Sequence, residues 1–171
     1  MALEYKYVDS IIEGFLLILP AMFANATPVL TKGKRPVDFK KNFIDGRRIL
    51  GDGKTWEGLA AGMLAGITVG VIIAYLTGNL TLAYAGFIAS AGAMLGDLAA
   101  SFIKRRLGLS RGAPAPLLDQ LNFYIGAVAL LHLAGFKFTL WVFTLLAILS
   151  ALLHLAANII AHKTGLKDVP W

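Results

Sequence analysis

Two carboxylates and four cations fall within residues 92–123, GAMLGDLAASFIKRRLGLSRGAPAPLLDQLNF. Asp97 interrupts an apolar run, Lys104-Arg105-Arg106 closes it, Arg111 lies in a short Gly/Pro loop, and Asp119 opens the next apolar run. Acids flanking bases where a membrane segment meets water can hold a divalent cation and a polyphosphate together. On a helix Asp97, Ser101 and Lys104 share one face. Asp97 would then lie six residues, about 9 Å, below the segment's end, and a carboxylate there is costly unless paired or bound to a cation. An internal Asp97–Lys104 ion pair answers that cost. So does a metal at Asp97 with Lys104 above it on a phosphate. Asp119 reads alone as a helix cap or dipole partner. With Asp97 across a short loop it becomes a second metal ligand, and Asn122 stands one turn further on. Magnesium takes a few carboxylates plus substrate phosphate oxygens, which suits this pair.

A second phosphate-type string, Gly51-Asp-Gly-Lys-Thr-Trp-Glu57, precedes another apolar run. This is either a plain polar turn or an anion site, made by free amide hydrogens and the dipole of a helix start with Gly53, Lys54 and Thr55 beside them. A Walker A loop is excluded: it requires glycine where Arg48 stands, and no strand precedes it. Asn25, followed by Pro28, is either an amide bonded to a neighbouring helix or a contact to base or phosphate. Arg35-Pro-Val-Asp38 and Lys40-Lys41 read as a basic run against an anionic leaflet. Asn158 and His162-Lys163 share a face near the C-terminus, while His132 and His154 read as packed, hydrogen-bonded histidines.

The elements that must position these groups follow from composition. The chain is 57% hydrophobic and 15% charged, against about a quarter charged in soluble domains, and its mean hydropathy is +0.70. It reads as an integral membrane protein forming one domain over residues 1–171. Cysteine is absent, which excludes disulfides and thiolate metal sites. The first ten residues, with Glu4, Lys6 and Asp9, do not read as a basic leader, so no removable signal peptide is expected.

A helix crosses the hydrocarbon core in about 20 apolar residues. Five stretches qualify: 10–30, 56–77, 80–103, 116–135 and 138–161. They lack the period-two alternation of barrel strands, so the expected fold is all-α, with five transmembrane helices. Gly78-Asn79 and Phe136-Lys137 are expected as tight turns, and residues 31–55 and 104–115 as the two polar loops. Fourteen of the sixteen basic residues fall on the side of those loops, and Lys6 and Lys137 on the other. The rule that positive charge stays inside places the N-terminus outside and the C-terminus in the cytoplasm. Glycine and alanine, as in residues 58–66 and 86–96, let helices approach closely.

These motifs in this order resemble the CTP-dependent lipid cytidylyltransferases, and more closely their archaeal branch, the CDP-archaeol synthases. Nearly the whole chain takes part: Asn25-x-x-Pro28, Arg35-Pro-x-Asp38, Gly51-Asp-Gly-Lys-Thr-Trp-x-Gly58, Gly96-Asp97-x3-Ser101-x2-Lys104-Arg105, Asp119 to Asn122, and Asn158. The chain departs from the bacterial and eukaryotic branch, which has Lys-Asp where Ser110-Arg111 stands and Asp-Arg-x-Asp where Asp119-Gln-Leu-Asn122 stands.

The resemblance implies transfer of CMP from CTP to an isoprenoid glycerol phosphate in the membrane, releasing pyrophosphate. The lipid phosphate is itself the nucleophile, so catalysis needs only positioning and charge neutralisation. In that reading Mg2+ sits on Asp97 and Asp119, and Lys104, Arg111 and the Gly53-Lys54-Thr55 turn hold phosphates. Asn25 contacts ribose or base, and Ser101, Arg105 and Asn122 complete the CTP site. The active site faces the cytoplasm of a multi-pass cell-membrane protein, and no nucleic-acid partner is implied. Two other readings are a CDP-alcohol phosphotransferase, whose Asp-Gly-x2-Ala-Arg string is absent, and a transporter or channel subunit, which would carry polar residues through the full membrane depth.

Overall fold

The structure, a computed structural model, describes residues 6–31 and 33–166. Lys32 and Lys167, both counted in the charge asymmetry, and Glu4 lie outside them. Five helices make up the fold: α1 (Ile11–Ala26), α2 (Trp56–Thr77), α3 (Thr81–Arg106), α4 (Leu118–Leu133) and α5 (Leu140–Lys163). Among the described residues, four apolar segments are long enough to cross a membrane: residues 11–30, in which a 3-10 turn extends α1 from Thr27 to Leu30, together with α2, α3 and α5. The fourth helix has 16 residues, which at 1.5 Å each span only about 24 Å.

The boundaries have local causes. Thr55, with extended backbone, caps α2 by accepting a hydrogen bond from Gly58 N–H at 3.2 Å. Gly78 ends α2 in the left-handed region, φ +67°, where a residue without Cβ carries no steric penalty. Lys104, Arg105 and Arg106 form the last turn of α3 rather than the loop, where cations complement the carbonyl end of the helix dipole. The second polar loop is therefore residues 107–117.

One expected turn is a strand instead. Phe136–Phe138 (β2) pairs in parallel with Lys6–Val8 (β1), in the register Lys6↔Phe136 to Val8↔Phe138. The described residues before α1, Lys6 to Ser10, and the α4–α5 connection each offer open backbone groups, and each satisfies the other's. Thr139 Oγ1 also donates to Val8 O at 3.2 Å. This clip gathers the residues before α1 and the α4–α5 connection at one end of the bundle. Helix directions place residues 33–55 and 107–117 at the other.

The centre of the bundle is α1, α3 and α4, with Leu17, Ile18, Ala21, Ala89, Phe123 and Tyr124 fully buried. On α2 the buried face is a glycine at every fourth residue, Gly58 to Gly70, and small residues at that spacing let backbones touch. Between α3 and α4 the fit is tighter still: a Cβ on Gly96 would run into the carbonyl of Asn122, and one on Gly92 into that of Gly126. The outlying helix α5 is held to α4 by Tyr124 Oη donating to Phe143 O at 2.7 Å and by the edge contact of Phe123 on His154, 5.6 Å between ring centroids. His154 also faces the Asn158 amide at 3.2 Å. His154 is thus the packed, bonded residue its apolar surroundings imply.

Candidate active site

The site forms where the glycine turn before α2 meets the polar ends of α3 and α4. The turn is stitched to the chain ahead of it. Val37 N–H donates to Lys54 O at 2.8 Å and Trp56 N–H to Arg35 O at 3.0 Å, around the Pro36–Thr55 bridge. Gly51 holds φ +97°, a conformation that glycine adopts freely. From this turn Lys54 reaches across to α3, where its Nζ lies 2.5 Å from Asp97 Oδ2. Two helical turns along α3, Lys104 Nζ lies 2.9 Å from Asp119 Oδ1 on α4. Asp119 is fixed a second time, accepting from Ala115 N–H at 2.8 Å.

These pairings replace the internal Asp97–Lys104 ion pair. That pair lies along a single helix, whereas the observed ones tie three segments together: the glycine turn, α3 and α4. All four side chains are a quarter exposed or less, so each charge sits where an unpaired partner would be costly.

Two arginines border the glycine turn. Arg105 Nη1 lies 3.9 Å from the position a Cβ on Gly51 would take, and Arg111 Nε lies 3.7 Å from that on Gly53. Arg105 is steadied by donating to Ser110 O at 3.2 Å. The Asn122 backbone carbonyl abuts Gly96, and the residue's side-chain Oδ1 is a buried acceptor with no hydrogen-bond partner among the described residues. The Thr55 hydroxyl is occupied in capping α2. Ser101 lies one turn above Asp97 on α3. Asn25 sits in the last turn of α1, whose Ala24 carbonyl abuts Gly62 of α2. No hydrogen bond joins the Ser101 or Asn25 side chain to the cluster among the described residues. Lys54, Asp97, Lys104, Arg105, Arg111, Asp119 and Asn122 are therefore the residues the structure gathers.

Asp38, expected only as part of a run against the leaflet and of the family motif, is the centre of a buried clamp. Its side chain is fully shielded. It accepts from Arg48 Nη2 at 2.7 Å and Nε at 3.2 Å, and from the N–H groups of Gly51 (2.9 Å), Leu50 (3.0 Å) and Lys40 (3.1 Å). Burial alone would raise its carboxyl. The Arg48 and backbone hydrogen bonds outweigh that and hold it well below the usual carboxylate range. Arg48 is pushed up in turn, by its hydrogen bonds to Asp38 and Asp52. This clamp shapes the glycine turn from behind. Arg47 and Arg106 then lock the two loops together, Arg47 donating to Arg106 O at 2.6 Å and Arg106 to Arg48 O at 2.5 Å. The available signal was an aspartate in a predominantly basic stretch, 34–48, where six basic residues accompany only two acids.

No cluster of three or more His, Cys, Asp or Glu side chains occurs among the described residues. Two carboxylates and one orphaned amide oxygen fit a hard cation that draws its other ligands from phosphate and water. They do not fit a cation held by protein alone.

Comparison with known proteins shows the family. The family model described as CarS-like, CDP-archaeol synthase, matches residues 7–171. The CDP-archaeol synthase of Aeropyrum pernix is 53% identical over 171 residues, covering 100% of this chain and 98% of the relative. That of Methanopyrus kandleri is 49% identical over 160 residues, covering 93% and 92%. A solved structure described as an intramembrane enzyme for archaeal membrane lipids biosynthesis superposes with a TM-score of 0.86 at 54% identity, over 90% of this chain and 97% of that one.

Proposed function

The chain belongs to the CarS-like family of CDP-archaeol synthases, and from that premise we propose how its residues carry the reaction. The enzyme transfers CMP from CTP to an isoprenoid glycerol phosphate, giving a CDP-activated lipid. A lipid phosphate oxygen forms a bond to the α-phosphorus of CTP. The bond from that phosphorus to the bridging oxygen of the β-phosphate breaks, and pyrophosphate leaves. Family membership favours this over a transporter or a CDP-alcohol phosphotransferase.

One observation carries the residue assignment: two lysine–aspartate pairs join the glycine turn, α3 and α4 beneath a border of arginines. Asp97 and Asp119, with the Asn122 Oδ1 acceptor one turn along α4 from Asp119, are the groups that would hold Mg2+. When bound, Mg2+ supplies charge neutralisation at the triphosphate. Lys54 and Lys104 turn from their carboxylates to phosphate oxygens. Arg105 and Arg111 bind the phosphate chain from the loop side, and the N–H groups of the Gly51–Gly53 turn add donors at the start of α2. No side chain need act as nucleophile, because the acceptor phosphate is already ionised. Ser101 and Asn25 bound the nucleoside end.

Helix α4 is the fifth span, its short length offset by the aqueous loop that reaches down to Asp119. The N-terminus lies outside, and the C-terminus and the active site lie on the cytoplasmic side. The asymmetry of basic residues supports this, as does the β1–β2 clip, which gathers Lys6 and Lys137 at the end away from the two basic loops. The lipid head group enters sideways from the leaflet while its chains remain in hydrocarbon.

The test uses the purified protein with labelled CTP, Mg2+ and digeranylgeranyl glycerol phosphate. Label should pass into the lipid phase, and Asp97→Asn and Asp119→Asn should abolish the transfer. Wild-type protein that leaves all label in water overturns the reaction. Full activity in the two variants overturns the site.

A further inference from the structure

The first polar loop exposes apolar residues that nothing in the catalytic arrangement uses. Residues 41–49 form a hairpin: Asn42 and Arg48 bridge, Phe43 N–H donates to Arg47 O at 2.7 Å, and Ile49 N–H donates to Lys41 O at 3.1 Å. At its tip Ile44 is 93% exposed. Just before it Phe39 is 68% exposed, and Lys40 and Lys41 are exposed beside it.

The exposure of Phe39 is built in. Phe39 and Lys40 have φ of +48° and +62°, the left-handed region that side chains with a Cβ disfavour. The Asp38 carboxylate holds this turn by accepting from Lys40 N–H at 3.1 Å. Strained backbone persists where the surrounding structure enforces it, and here it turns an aromatic ring outward.

The level of these residues is marked from both sides. The Phe39 ring lies 6.2 Å from that of Trp56, the first residue of α2. The Phe43 ring lies 5.2 Å from that of Phe102, near the end of α3, with the Arg106 guanidinium 4.9 Å from both. Tryptophan at a span end sits at the headgroup level, and Trp56 opens α2. Phe39 and Trp56 thus extend the exposed apolar surface that α2 continues at Leu64, Val71 and Ile72.

We propose that this segment rests on the membrane surface, with Phe39 and Ile44 inserted among lipid headgroups and Lys40 and Lys41 on anionic lipid phosphates. Apolar tips flanked by lysines suit that interface, where ring and branched chain leave water while the ammonium groups stay in it. The contact holds the glycine turn against the leaflet. The inference needs only that the helices span a bilayer, so it stands or falls separately from the cytidylyl-transfer reading.

Because the chain lacks cysteine, Phe39→Cys and Ile44→Cys each give a single site for a nitroxide label in the full-length protein. The labelled proteins are reconstituted in vesicles of phosphatidylcholine and phosphatidylglycerol. Collision rates are then measured with oxygen, which partitions into lipid, and with a water-soluble nickel chelate. Both labels should collide readily with oxygen and be shielded from nickel. Lys40→Gln with Lys41→Gln should lower the ratio of docked to free segment by about 30-fold, the equivalent of about 1 kcal/mol per lysine at an anionic surface. Ready nickel collisions at both positions would place the segment in water and overturn the proposal. Shielding from both reagents would mean that protein, such as a second copy of the chain, covers it, and would overturn it equally.

Discussion

Replacing Lys54 with methionine probes the proposed cation site without touching its ligands. Lys54 Nζ and Asp97 Oδ2 lie 2.5 Å apart, with the two side chains 25% and 19% exposed. A cation that takes Asp97 must displace that ammonium group. The bare attraction of opposite charges near 4 Å is about 4 kcal/mol at an effective dielectric of about 20, and desolvation cancels much of it. The net worth of a hydrogen bond to a charged group is about 1.5–3 kcal/mol. Lys54→Met removes this competitor, so divalent-cation affinity in the absence of nucleotide should rise roughly 10- to 100-fold, the same energy as a ratio. CTP affinity should fall by a comparable factor, because the same ammonium would otherwise bind phosphate. Paramagnetic Mn2+ binding, measured by electron spin resonance in detergent, reads the first effect, and calorimetry with CTP reads the second. Asp97→Asn should lose Mn2+ binding in either background. Mn2+ affinity that is unchanged or weaker in Lys54→Met would refute the idea that lysine and cation share Asp97.

Other perturbations separate the scaffold from the site. Asp38→Asn removes the charge that gathers Arg48 and three backbone N–H groups; the cost to the loop should be about 3 kcal/mol, seen as faster hydrogen exchange over residues 38–54 with the helices unaffected. Because the Asp38 carboxyl is held low, its contribution is complete above the ordinary aspartate value of about 3.9 and is lost as pH falls below it. Exchange protection of the loop should therefore be flat from neutral pH to about 5 and decline only in stronger acid. Gly96→Ala drives a methyl into the Asn122 carbonyl and should cost about 1–3 kcal/mol, lowering the unfolding temperature and moving Asp97 relative to Asp119, so activity falls as well. Tyr124→Phe removes the bond to Phe143 O and should cost about 1 kcal/mol, visible in thermal unfolding with little change in transfer rate.

The sequence makes the helices legible because lipid leaves the backbone few choices. Long apolar runs must be helical, and four of the five expected spans appear as long helices. The glycine turn, Asp97 and Asp119 are legible because ionisable groups beside apolar runs are rare. What cannot be read is pairing across segments. Helical spacing alone favours Lys104 for Asp97, since the two share a face. Lys104 turns instead to Asp119 because contact between the Gly92–Gly96 stretch and Asn122–Gly126 brings α4 alongside. Lys54 turns to Asp97 because the Asp38 clamp folds its turn over α3. Each choice depends on a contact between residues far apart in the chain. The β1–β2 pair is hidden for the same reason, since strands of three residues carry no period of their own.

Those long-range contacts divide the labour within the site. Glycine against backbone makes the α3–α4 seam rigid, so Asp97, Lys104 and Asp119 are placed by atoms with little freedom to move. The glycine turn is placed instead by charge: Asp38 behind it, Arg48 across it, and Arg47 and Arg106 tying it to the second loop. In the proposed site the four nearby cations, Lys54, Lys104, Arg105 and Arg111, outnumber the two carboxylates. A divalent cation adds to that surplus, and an ionised triphosphate is the charge that balances it. Metal and nucleotide should therefore bind with positive coupling, each paying for the other's disruption of a lysine–aspartate pair. A titration in which CTP affinity is independent of Mn2+ would show that the pairs stay closed and that the triphosphate lies elsewhere.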